Sequence, residues 1–561
     1  MTRPRKWVIL LAVCALVATG CTTLPTASAP ERFDVSDQAS VPLDLSAAGP
    51  TQNSTPTTLV NDFLLACAAG PSDDFQTARK YLTQQAASAW RPTVQVQIYA
   101  SGTAPTVTGE DPTANEDDAD AQTTTVNLTA TLTATLDQIG VLTLASGSPS
   151  LQRSFQLTKQ DGQWRIATLE DEVILSEASF KASFQQGDLF FPSSTRDALV
   201  ADPRWYPARR LSSLLLSGLM GGPSELIADS VVNAIPAGIT LPSQGVTVED
   251  GVAVVELSGQ LPADGSEQRL LASEITQTLM QARAANSVRI KVSGVELPQD
   301  GLLQVQDLQP NAAVGIHEGQ AVSVSASNVS ATGIPVPQGA VKPARGWNGA
   351  TVTAWLDGDS MTITGSTGTF MTKVGSPTWP SVDRYGWAWS ANSSPGGAIQ
   401  LIKTDGSMTS LPAPVSTDAT VKSLRISPDG ARALMVIQQG NRTWVSISTI
   451  QRDYSGTPQT LSIQTPLGGL TQTVMDASWA GSDRLVALVK DPNVTSGMSI
   501  AIITLGGFTS WLQAPDGAQR VTAGGSPSVL WVMGKDNTAF SRSGSTWQTL
   551  TLEAQDVQWP G

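Results

Sequence analysis

The sequence predicts a multidomain chain in which two α+β units precede an all-β propeller. Three patterns support this fold class: helices followed by alternating strands, then strands interleaved with two helices, then one strand theme repeated several times. A chain of 561 residues is long enough for about three or four domains. We expect a signal segment at 1–20, a tether at 21–55, and folded units at 56–198, 199–308 and 309–561.

The N-terminus contains the three parts of a secretory signal. Arg3, Arg5 and Lys6 form a basic start, the apolar run 7–18 follows, and small residues lead to Cys21. The apolar run is too short to cross about 30 Å of hydrocarbon as a permanent helix. The segment after it is polar and proline-rich and lacks a basic stop-transfer flank. The pattern therefore predicts a cleaved signal and not a transmembrane anchor.

Residues 18–21, Ala-Thr-Gly-Cys, resemble a bacterial lipobox, with Ala18 in the place of the usual leucine. The resemblance implies cleavage after Gly20 and a mature N-terminal Cys21 that becomes an N-palmitoyl, S-diacylglycerol cysteine. Several acyl chains on one residue give a stable anchor, whereas a single chain binds a bilayer only marginally. We expect a lipoprotein on the extracytoplasmic face of the cell membrane. The alternative is an ordinary signal peptide that happens to contain a cysteine.

Charge and composition narrow the possible partners. Removing residues 1–20 takes away three positive charges, so the mature chain has 31 Lys plus Arg, 48 Asp plus Glu and a net charge of −17. Nucleic-acid binding requires a cationic footprint and is therefore not expected. Anionic headgroups should repel this body, so the lipid must hold it at the membrane. Residues 21–55 are rich in Thr, Ser, Ala and Pro, which is typical of a flexible tether.

Few residues suited to catalysis or metal binding are present. Cys14 leaves with the signal and Cys21 is acylated, so Cys67 has no disulfide partner, and we expect it to be a buried small side chain rather than a reactive thiol. His317 is the only histidine, which excludes His-based triads and multi-His metal sites within one chain. The sequence contains no Walker-type phosphate loop, and no carboxylate pair stands out by spacing. We therefore predict a protein that is not an enzyme and has no cofactor or metal.

The first unit begins with helices and continues with strands. Apolar residues at helical spacing predict helices at 58–69 and 75–89, and the acidic stretch 110–120 is predicted to be an exposed loop between strands. Alternating strands are predicted at 94–99, 126–132, 154–157 and 164–166. This order, with an Asp-Gly turn before Trp164, resembles the nuclear-transport-factor-2-like cone fold and indicates an α+β unit.

The second unit mixes helices and strands. The helix predicted at 209–219 ends at a Gly-Gly-Pro sequence. Its inward-facing leucines are predicted to be Leu211, Leu214, Leu215 and Leu219. A hairpin that turns at Asp250-Gly251, a helix at 267–284 and a strand at 288–292 follow. This succession resembles the GerMN domain of sporulation and germination proteins, which implies a binding or scaffolding module without established catalytic residues.

Short strands with Gly, Asp, Ser and Pro turns recur in the third unit. One theme appears at 387–390, 424–437 and 477–489, with a weaker copy at 521–533, so the copies lie about 40–55 residues apart. This interval is typical of propeller blades, because each blade is a small sheet that must stack on its neighbours. The Ser-Pro-Asp-Gly turn at 427–430 resembles those of TolB- and WD-type propellers. The length predicts about five or six blades, and an open β-sandwich is the alternative.

The third unit is also rich in tryptophan. One large aromatic side chain per strand is the pattern of packing within and between blades, and we expect that role for most of these residues. Exposed tryptophans would instead stack on sugar rings, so a glycan-binding propeller face is a second hypothesis. The tryptophans are Trp347, Trp355, Trp379, Trp387, Trp389, Trp444, Trp479, Trp511, Trp531, Trp547 and Trp559.

The order of the units is similar to that of the LpqB family of lipoproteins from high-GC Gram-positive bacteria. The resemblance covers the full length and rests on the domain order and the GerMN-like stretch. It implies an accessory protein that binds the extracytoplasmic sensor part of a membrane histidine kinase, MtrB-like, and tunes the MtrAB two-component system, with effects on cell-envelope homeostasis and division. The alternatives are an envelope protein that binds or processes cell-wall glycan, and a passive structural spacer.

Overall fold

The computed structural model describes residues 47–110, 123–241, 245–281, 286–305, 310–347, 353–535, 538–544 and 546–561. The predicted signal segment, Cys21, most of the tether and nearly all of the predicted acidic loop therefore lie outside the described residues. Among the helices in the described ranges, none combines the length and apolar character needed to span a bilayer.

Helix α1, Pro56–Asp73, opens the first unit and confirms the helix predicted at 58–69. Its N-terminus is capped by Thr55, whose hydroxyl accepts a hydrogen bond from the backbone N–H of Thr58, and a proline at the first helical position favours this start. One face of the helix, with Phe63 and Cys67, is buried in the first hydrophobic core. Cys67 is thus a packing residue, as predicted, and burial raises the pKa of its thiol.

The single helix predicted at 75–89 is wrong. Two short helices occupy this range, α2 at Gln76–Arg79 and α3 at Gln84–Ala89. Between them the backbone pairs with a strand: the Thr83 N–H donates to the Ile166 carbonyl, and the Ile166 N–H donates to the Tyr81 carbonyl, both at 2.9 Å. The Thr83 hydroxyl then caps α3. These hydrogen bonds to a distant strand replace those that would continue one helix.

A sheet follows the helices, which confirms the predicted α+β order of the first unit. Its spatial order is β6-β5-β3-β1-β7, with β7 parallel to β1, while β2 and β4 pair with the long strand β3. Asp161 and Gly162 both have left-handed backbone, with φ of 51° and 75°, and form the predicted turn before Trp164. The elements are β1 Gln95–Tyr99, β2 Thr106–Gly109, β3 Thr123–Asp137, β4 Leu142–Leu144, β5 Ser150–Gln160, β6 Gln163–Thr168, β7 Val173–Ser176 and helix α4 Glu177–Ser183.

A long antiparallel hairpin joins the first unit to the second. Its strands are β8, Phe184–Pro192, and β9, Leu199–Pro207. The boundary expected between the first and second units, at residues 198 and 199, lies where the turn of this hairpin ends and β9 begins. Phe184 packs in the core of the first unit, whereas Leu189 and Val200 pack in the core of the second. The hairpin therefore belongs to both units and ties them together.

The second unit contains the predicted helices and hairpin. Asp250 and Gly251 have φ of 49° and 78° and form the turn between β10 and β11, the geometry that a two-residue hairpin loop requires. The sheet order is β10-β11-β12-β13, with β11 and β12 parallel and helix α6 between them in the chain. The elements are α5 Leu211–Met220, a 3-10 turn Ala228–Ser230, β10 Thr247–Glu249, β11 Val252–Leu257, α6 Gly265–Met280, β12 Ser287–Val292 and β13 Val295–Glu296.

Helix α5 faces the core with a slightly different set of leucines from the predicted one. Leu215 and Leu219 are fully buried as predicted, but Leu211 and Leu214 are half-buried, and Leu216 is fully buried although it was not predicted. Leu211 and Leu214 still pack against this core, and Leu214 also lines a cleft between the first two units.

The third unit is a propeller with six blades in the described residues, which agrees with the predicted five or six. Its blades are four-stranded antiparallel sheets, and the fourth carries an extra short strand. The strands are β14 Ala313–His317, β15 Gln320–Val324, β16 Val329–Pro335, β17 Val341–Arg345, β18 Thr353–Asp357, β19 Ser360–Gly365, β20 Gly368–Lys373, β21 Ser381–Val382, β22 Trp387–Ala391, β23 Ile399–Lys403, β24 Met408–Leu411, β25 Thr420–Ile426, β26 Arg432–Gln439, β27 Arg442–Arg452, β28 Pro458–Leu461, β29 Thr465–Pro466, β30 Val474–Trp479, β31 Arg484–Lys490, β32 Met498–Thr504, β33 Thr509–Gln513, β34 Arg520–Ala523, β35 Leu530–Met533, β36 Ala539–Ser543, β37 Thr546–Leu550 and β38 Gln555–Gln558, with a 3-10 turn at Pro527–Val529.

The ring of blades is closed by the last strand. Strand β38 pairs with β14, so the C-terminal strand completes the blade that the N-terminal strands of the unit begin. The backbone N–H of Trp559 then donates to the Thr522 hydroxyl of the sixth blade at 2.8 Å. Closure leaves no blade without a neighbour on either face, and the alternative of an open β-sandwich is wrong.

Most tryptophans of the propeller are packing residues, as predicted. Trp511 is 44% exposed, and Trp444 and Trp547 are half-buried. The buried tryptophans are Trp347, Trp355, Trp379, Trp387, Trp389, Trp479, Trp531 and Trp559. The three accessible side chains lie on β27, β33 and β37, which are third or fourth strands of their blades, and not on the strands that line the central channel.

Candidate functional site

The β8–β9 hairpin contacts all three folded units and forms the centre of the candidate site. On the side of the first unit, the Trp205 N–H donates to the Gly140 carbonyl at 2.8 Å. The Arg204 guanidinium donates to the Ile139 carbonyl at 2.7 Å and also to the Gly222 carbonyl of the second unit at 3.2 Å. One buried arginine therefore bridges two units through backbone oxygens.

The same hairpin lies against one face of the propeller. The Trp205 indole donates to the Gly506 carbonyl at 2.6 Å, Asp197 pairs with Arg384 at 3.2 Å, and a hydrogen bond of 2.9 Å joins the Thr195 and Tyr385 hydroxyls. These propeller groups lie in turns after the first or third strand of a blade. Because adjacent strands are antiparallel, such turns share one face, and the hairpin covers part of it.

An aromatic cluster fills the space where the units meet. Phe180 from α4 stacks on Phe184 from β8 with ring centroids 4.8 Å apart, and it contacts Trp205 from β9 at 5.0 Å. Phe508 of the propeller lies 6.0 Å from both Phe180 and Trp205. Offset and edge contacts of this kind stabilise an interface beyond the area that they bury. The junction is therefore a packed interface and not a flexible linker.

Buried ion pairs reinforce the junction. Asp202 and Arg204 of β9 pair at 2.6 Å, and the Asp202 carboxylate accepts two further hydrogen bonds from Ser224. In the propeller, Arg432 pairs with Asp429 of the Ser-Pro-Asp-Gly turn at 3.1 Å and also donates to the Ala201 carbonyl of the hairpin. Such pairs need further hydrogen bonds to offset desolvation, and here backbone carbonyls accept several from the two arginines. The turn that resembles other propellers thus holds the hairpin.

One carboxyl at the junction has a pKa near neutrality. The pKa of Asp188 on β8 is raised to about 7: burial is the largest cause, the nearby Asp483 and Asp202 also raise it, and Arg432 and Arg484 lower it. The folded protein therefore holds this proton more tightly than the unfolded chain, in which the pKa is near 3.8. Protonated Asp188 therefore contributes to the stability of the folded state. This contribution is complete below the unfolded pKa of about 3.8 and is lost as the pH rises towards 7.

We predict that Asp188→Asn stabilises the full chain above pH 7 and reduces the decline in Tm between pH 4 and pH 7. Thermal unfolding followed across this range measures the effect, and about 2–4 °C is expected for each kcal/mol gained. Asp300→Asn, at an exposed position, is the matched control and should leave the pH profile unchanged. Parallel pH profiles for wild type and Asp188→Asn would show that Asp188 does not titrate in this window.

A cleft of about 340 Å³ lies beside the hairpin, between the first two units. Its walls are mainly apolar, with Val96 and Leu136 from the first sheet, Phe184 and Tyr206 from the hairpin, and Leu214 from α5. A second cavity of similar volume adjoins it and shares Leu214 as a lining residue. Both volumes are in the range of small-molecule sites, roughly 300–1,000 Å³.

The cysteines and the histidine singled out from the sequence do not lie at this junction. Cys21 lies outside the described residues, Cys67 is buried in the first core, and His317 is partly exposed at the end of β14, with its Nε2 4.0 Å from a carboxylate oxygen of Glu318. Within the described ranges, no group of three or more His, Cys, Asp or Glu side chains is arranged to hold a metal ion. The sequence did not predict a role for the arginines and aromatic residues of the hairpin. The only local signal was the Trp205-Tyr206 pair between Pro203 and Pro207, which indicates a buried strand.

Three family profiles match the chain in succession. Residues 49–181 match the family described as "Lipoprotein LpqB, N-terminal domain", residues 188–298 match "Sporulation and spore germination", and residues 300–558 match "Lipoprotein LpqB beta-propeller domain". Lipoprotein LpqB of Mycolicibacterium smegmatis is 26% identical over 543 residues, which cover 86% of each chain. Lipoprotein LpqB of Mycolicibacterium paratuberculosis is 26% identical over 580 residues, which cover 94% of each chain.

The chain belongs to the LpqB lipoprotein family. The predicted family and its succession of N-terminal, GerMN and propeller domains are thereby confirmed. Among solved structures, the tandem GerMN domains of the sporulation protein GerM from Bacillus subtilis match 25% of this chain and 59% of that chain, with 18% identity and a TM-score of 0.18. In this LpqB-family protein, the hairpin at 184–207 contacts all three domains.

Proposed function

We propose that this LpqB-family lipoprotein is anchored to the extracytoplasmic face of the cell membrane and binds the sensor part of a membrane histidine kinase, MtrB-like. Binding tunes a two-component system that acts on cell-envelope homeostasis and division, and the lipoprotein itself carries out no catalysis. Membership of the LpqB family supports a location in the cell envelope. The packed junction supports a rigid body that presents one fixed surface to a partner.

The observation that carries the proposal is an apolar patch on the propeller, on the side opposite the hairpin. Ile463 is 88% exposed and Met475 is 44% exposed. Both lie near the start of β27: Gln464, next to Ile463, accepts a hydrogen bond of 3.1 Å from the Trp444 indole, and the Val474 carbonyl, next to Met475, accepts one of 2.9 Å from the Thr443 hydroxyl. Exposed apolar side chains that cluster in this way are typical of protein interaction sites.

The position of this patch follows from the order of the strands. Strand β27 begins just after the turn from the second to the third strand of its blade, and Met475 is the second residue of β30, just after the connection from the previous blade. Both connections lie on the face opposite the turns that contact the hairpin. A partner on this face would not compete with the hairpin, although it would lie beside the first unit, whose Leu144 side chain is close to Gly468 in the connection before Met475.

Crosslinking in native membranes tests the proposal. We expect crosslinking of the wild-type lipoprotein to recover a sensor kinase. The double variant Ile463→Asp/Met475→Asp should reduce this recovery roughly tenfold, because it places charges where the partner would bury apolar side chains at the centre of the interface. Met408→Asp, which changes a 54% exposed methionine on a different blade, is the matched control. Absence of any kinase from the wild-type crosslinks, or equal recovery with the double variant, would contradict the proposal.

A glycan-binding propeller is the second candidate, because accessible aromatic side chains surround an open cleft. Trp547, Phe540 and Arg542 line this cleft of about 490 Å³, and Trp511 is exposed on the outer strand of the preceding blade. Recovery of wall glycan in place of a kinase, with loss of that recovery in Trp511→Ala, would favour this candidate. Turnover of muropeptides by the purified full chain would contradict the absence of catalysis.

A further inference from the structure

The apolar cleft between the first two units ends at a group of arginines. We use the name basic rim for Arg79, Arg91, Arg209 and Arg210, which line the cavity that adjoins the cleft. The two cavities share Phe75, Pro92, Thr93, Pro207 and Leu214 as lining residues, so they lie side by side. The apolar cleft of about 340 Å³ therefore has four guanidinium groups in the cavity next to it.

The basic rim has an excess of positive charge. Arg91 pairs with Asp171 at 2.6 Å and Arg210 pairs with Asp74 at 2.8 Å. Arg209 donates to the backbone carbonyl of Ser72.

Arg79, the fourth member of the rim, donates to the backbone carbonyl of Ala87 and stacks over the Trp90 ring. Carbonyl acceptors are neutral, so two of the four charges are not balanced by these contacts. In a chain with a formal net charge of −14, a local excess of this kind indicates an anionic ligand.

The floor of the cleft contains a further polar group. Arg204 is 1% exposed and lines the cleft, and its Nη atoms are occupied by Asp202, Ile139 and Gly222. Its Nε has no hydrogen-bond partner among the described residues. A buried donor without a partner is costly to maintain, so a polar atom that reaches the floor of the cleft would be stabilised there.

We propose that the apolar cleft binds the acyl chain of an anionic lipid and that the basic rim binds its headgroup. The walls formed by Val96, Leu136 and Leu214 match a hydrocarbon chain, and guanidinium groups bind carboxylate or phosphate through charge-assisted hydrogen bonds. A protein tethered by lipid beside a bilayer is placed where such ligands are abundant. This site lies in the first two units, away from the propeller patch, so it is independent of the kinase proposal.

Photolabelling of the full-length lipoprotein tests this site. The protein is reconstituted in phosphatidylcholine vesicles that contain palmitate with a diazirine near the end of its chain, and labelled peptides are mapped by mass spectrometry. We expect labels on the segments that contain Val96, Leu136 or Leu214. Diazirine-tagged phosphatidylglycerol, used in parallel, distinguishes a bilayer phospholipid from a free fatty acid, and labelling by either probe supports the proposal.

Two changes separate headgroup recognition from nonspecific insertion. Arg209→Glu, or the uncharged methyl ester of the palmitate probe, should lower labelling of the cleft about tenfold, because one charge-assisted contact is lost. Arg289→Glu makes the same charge change at an exposed position on β12 and should have no effect. Equal labelling by acid and ester would overturn the proposal.

A third variant tests whether the apolar cleft itself holds the lipid. Ser217 lines the cleft from α5 and is not part of the core, so Ser217→Phe should fill the space and abolish labelling while thermal unfolding of the protein is preserved. Unchanged labelling of a folded Ser217→Phe protein would show that the lipid binds elsewhere and would also overturn the proposal.

Discussion

Replacing Asp383 with alanine should lower the free energy of unfolding of the propeller by about 3–5 kcal/mol. The Asp383 side chain is fully buried and pairs with buried Arg452 at 2.8 Å. It also accepts hydrogen bonds of 2.9 Å from the Trp389 indole and from the backbone N–H groups of Tyr385 and Trp387. Removing the carboxylate leaves a buried guanidinium and three donors without an acceptor, which is why a large loss is expected.

Urea unfolding followed by tryptophan fluorescence measures this loss, since the buried Trp389 contacts the site directly. Asp405→Ala is the matched control: Asp405 is exposed and accepts one backbone hydrogen bond from Ser407 in a turn of the same blade. Its replacement should cost roughly 1 kcal/mol or less, as for a surface turn. If both variants unfold at the same urea concentration, the Asp383 network does not stabilise the propeller as we infer.

Local patterns in the sequence predicted much of the fold. Asp250 and Gly251 form the predicted hairpin turn because that turn needs left-handed backbone at two adjacent positions, a requirement that short stretches of sequence reveal. The repeated strand theme predicted the propeller for a similar reason, since each blade repeats its own turns and apolar strands. The helix predicted at 75–89 was wrong because Thr83 pairs with Ile166, a partner that apolar spacing cannot indicate.

The candidate site depends on contacts between residues that are far apart in the sequence. Arg432 and the Ala201 carbonyl that it contacts are 231 positions apart, and Trp205 and the Gly506 carbonyl are 301 positions apart. A carbonyl acceptor carries no side-chain signature, so no motif identifies such a pair. The sequence predicted the domains from their own periodicity, but the junction arises from tertiary packing, which is why the hairpin was assigned no role.

Replacing Cys21 with alanine should release this lipoprotein from the membrane or leave it uncleaved. The thiol is the predicted attachment point of the diacylglycerol, and cleavage after Gly20 is predicted to follow that modification. Residues 21–561, the predicted mature body, would have a formal net charge of −17 and should be repelled by anionic headgroups. Acyl chains therefore supply the membrane affinity, and without them little should remain.

Palmitate labelling and membrane fractionation of cells that express each variant measure this effect. Cys67→Ala is the matched control, since it also removes one thiol but at a buried packing position. This variant should still incorporate palmitate and remain in the membrane fraction. Incorporation of lipid into Cys21→Ala would refute the lipobox. A soluble, cleaved Cys21→Ala protein that still recovers the kinase would show that the lipid supplies location alone, whereas loss of recovery would show that recognition depends on the high local concentration that a shared membrane gives two partners.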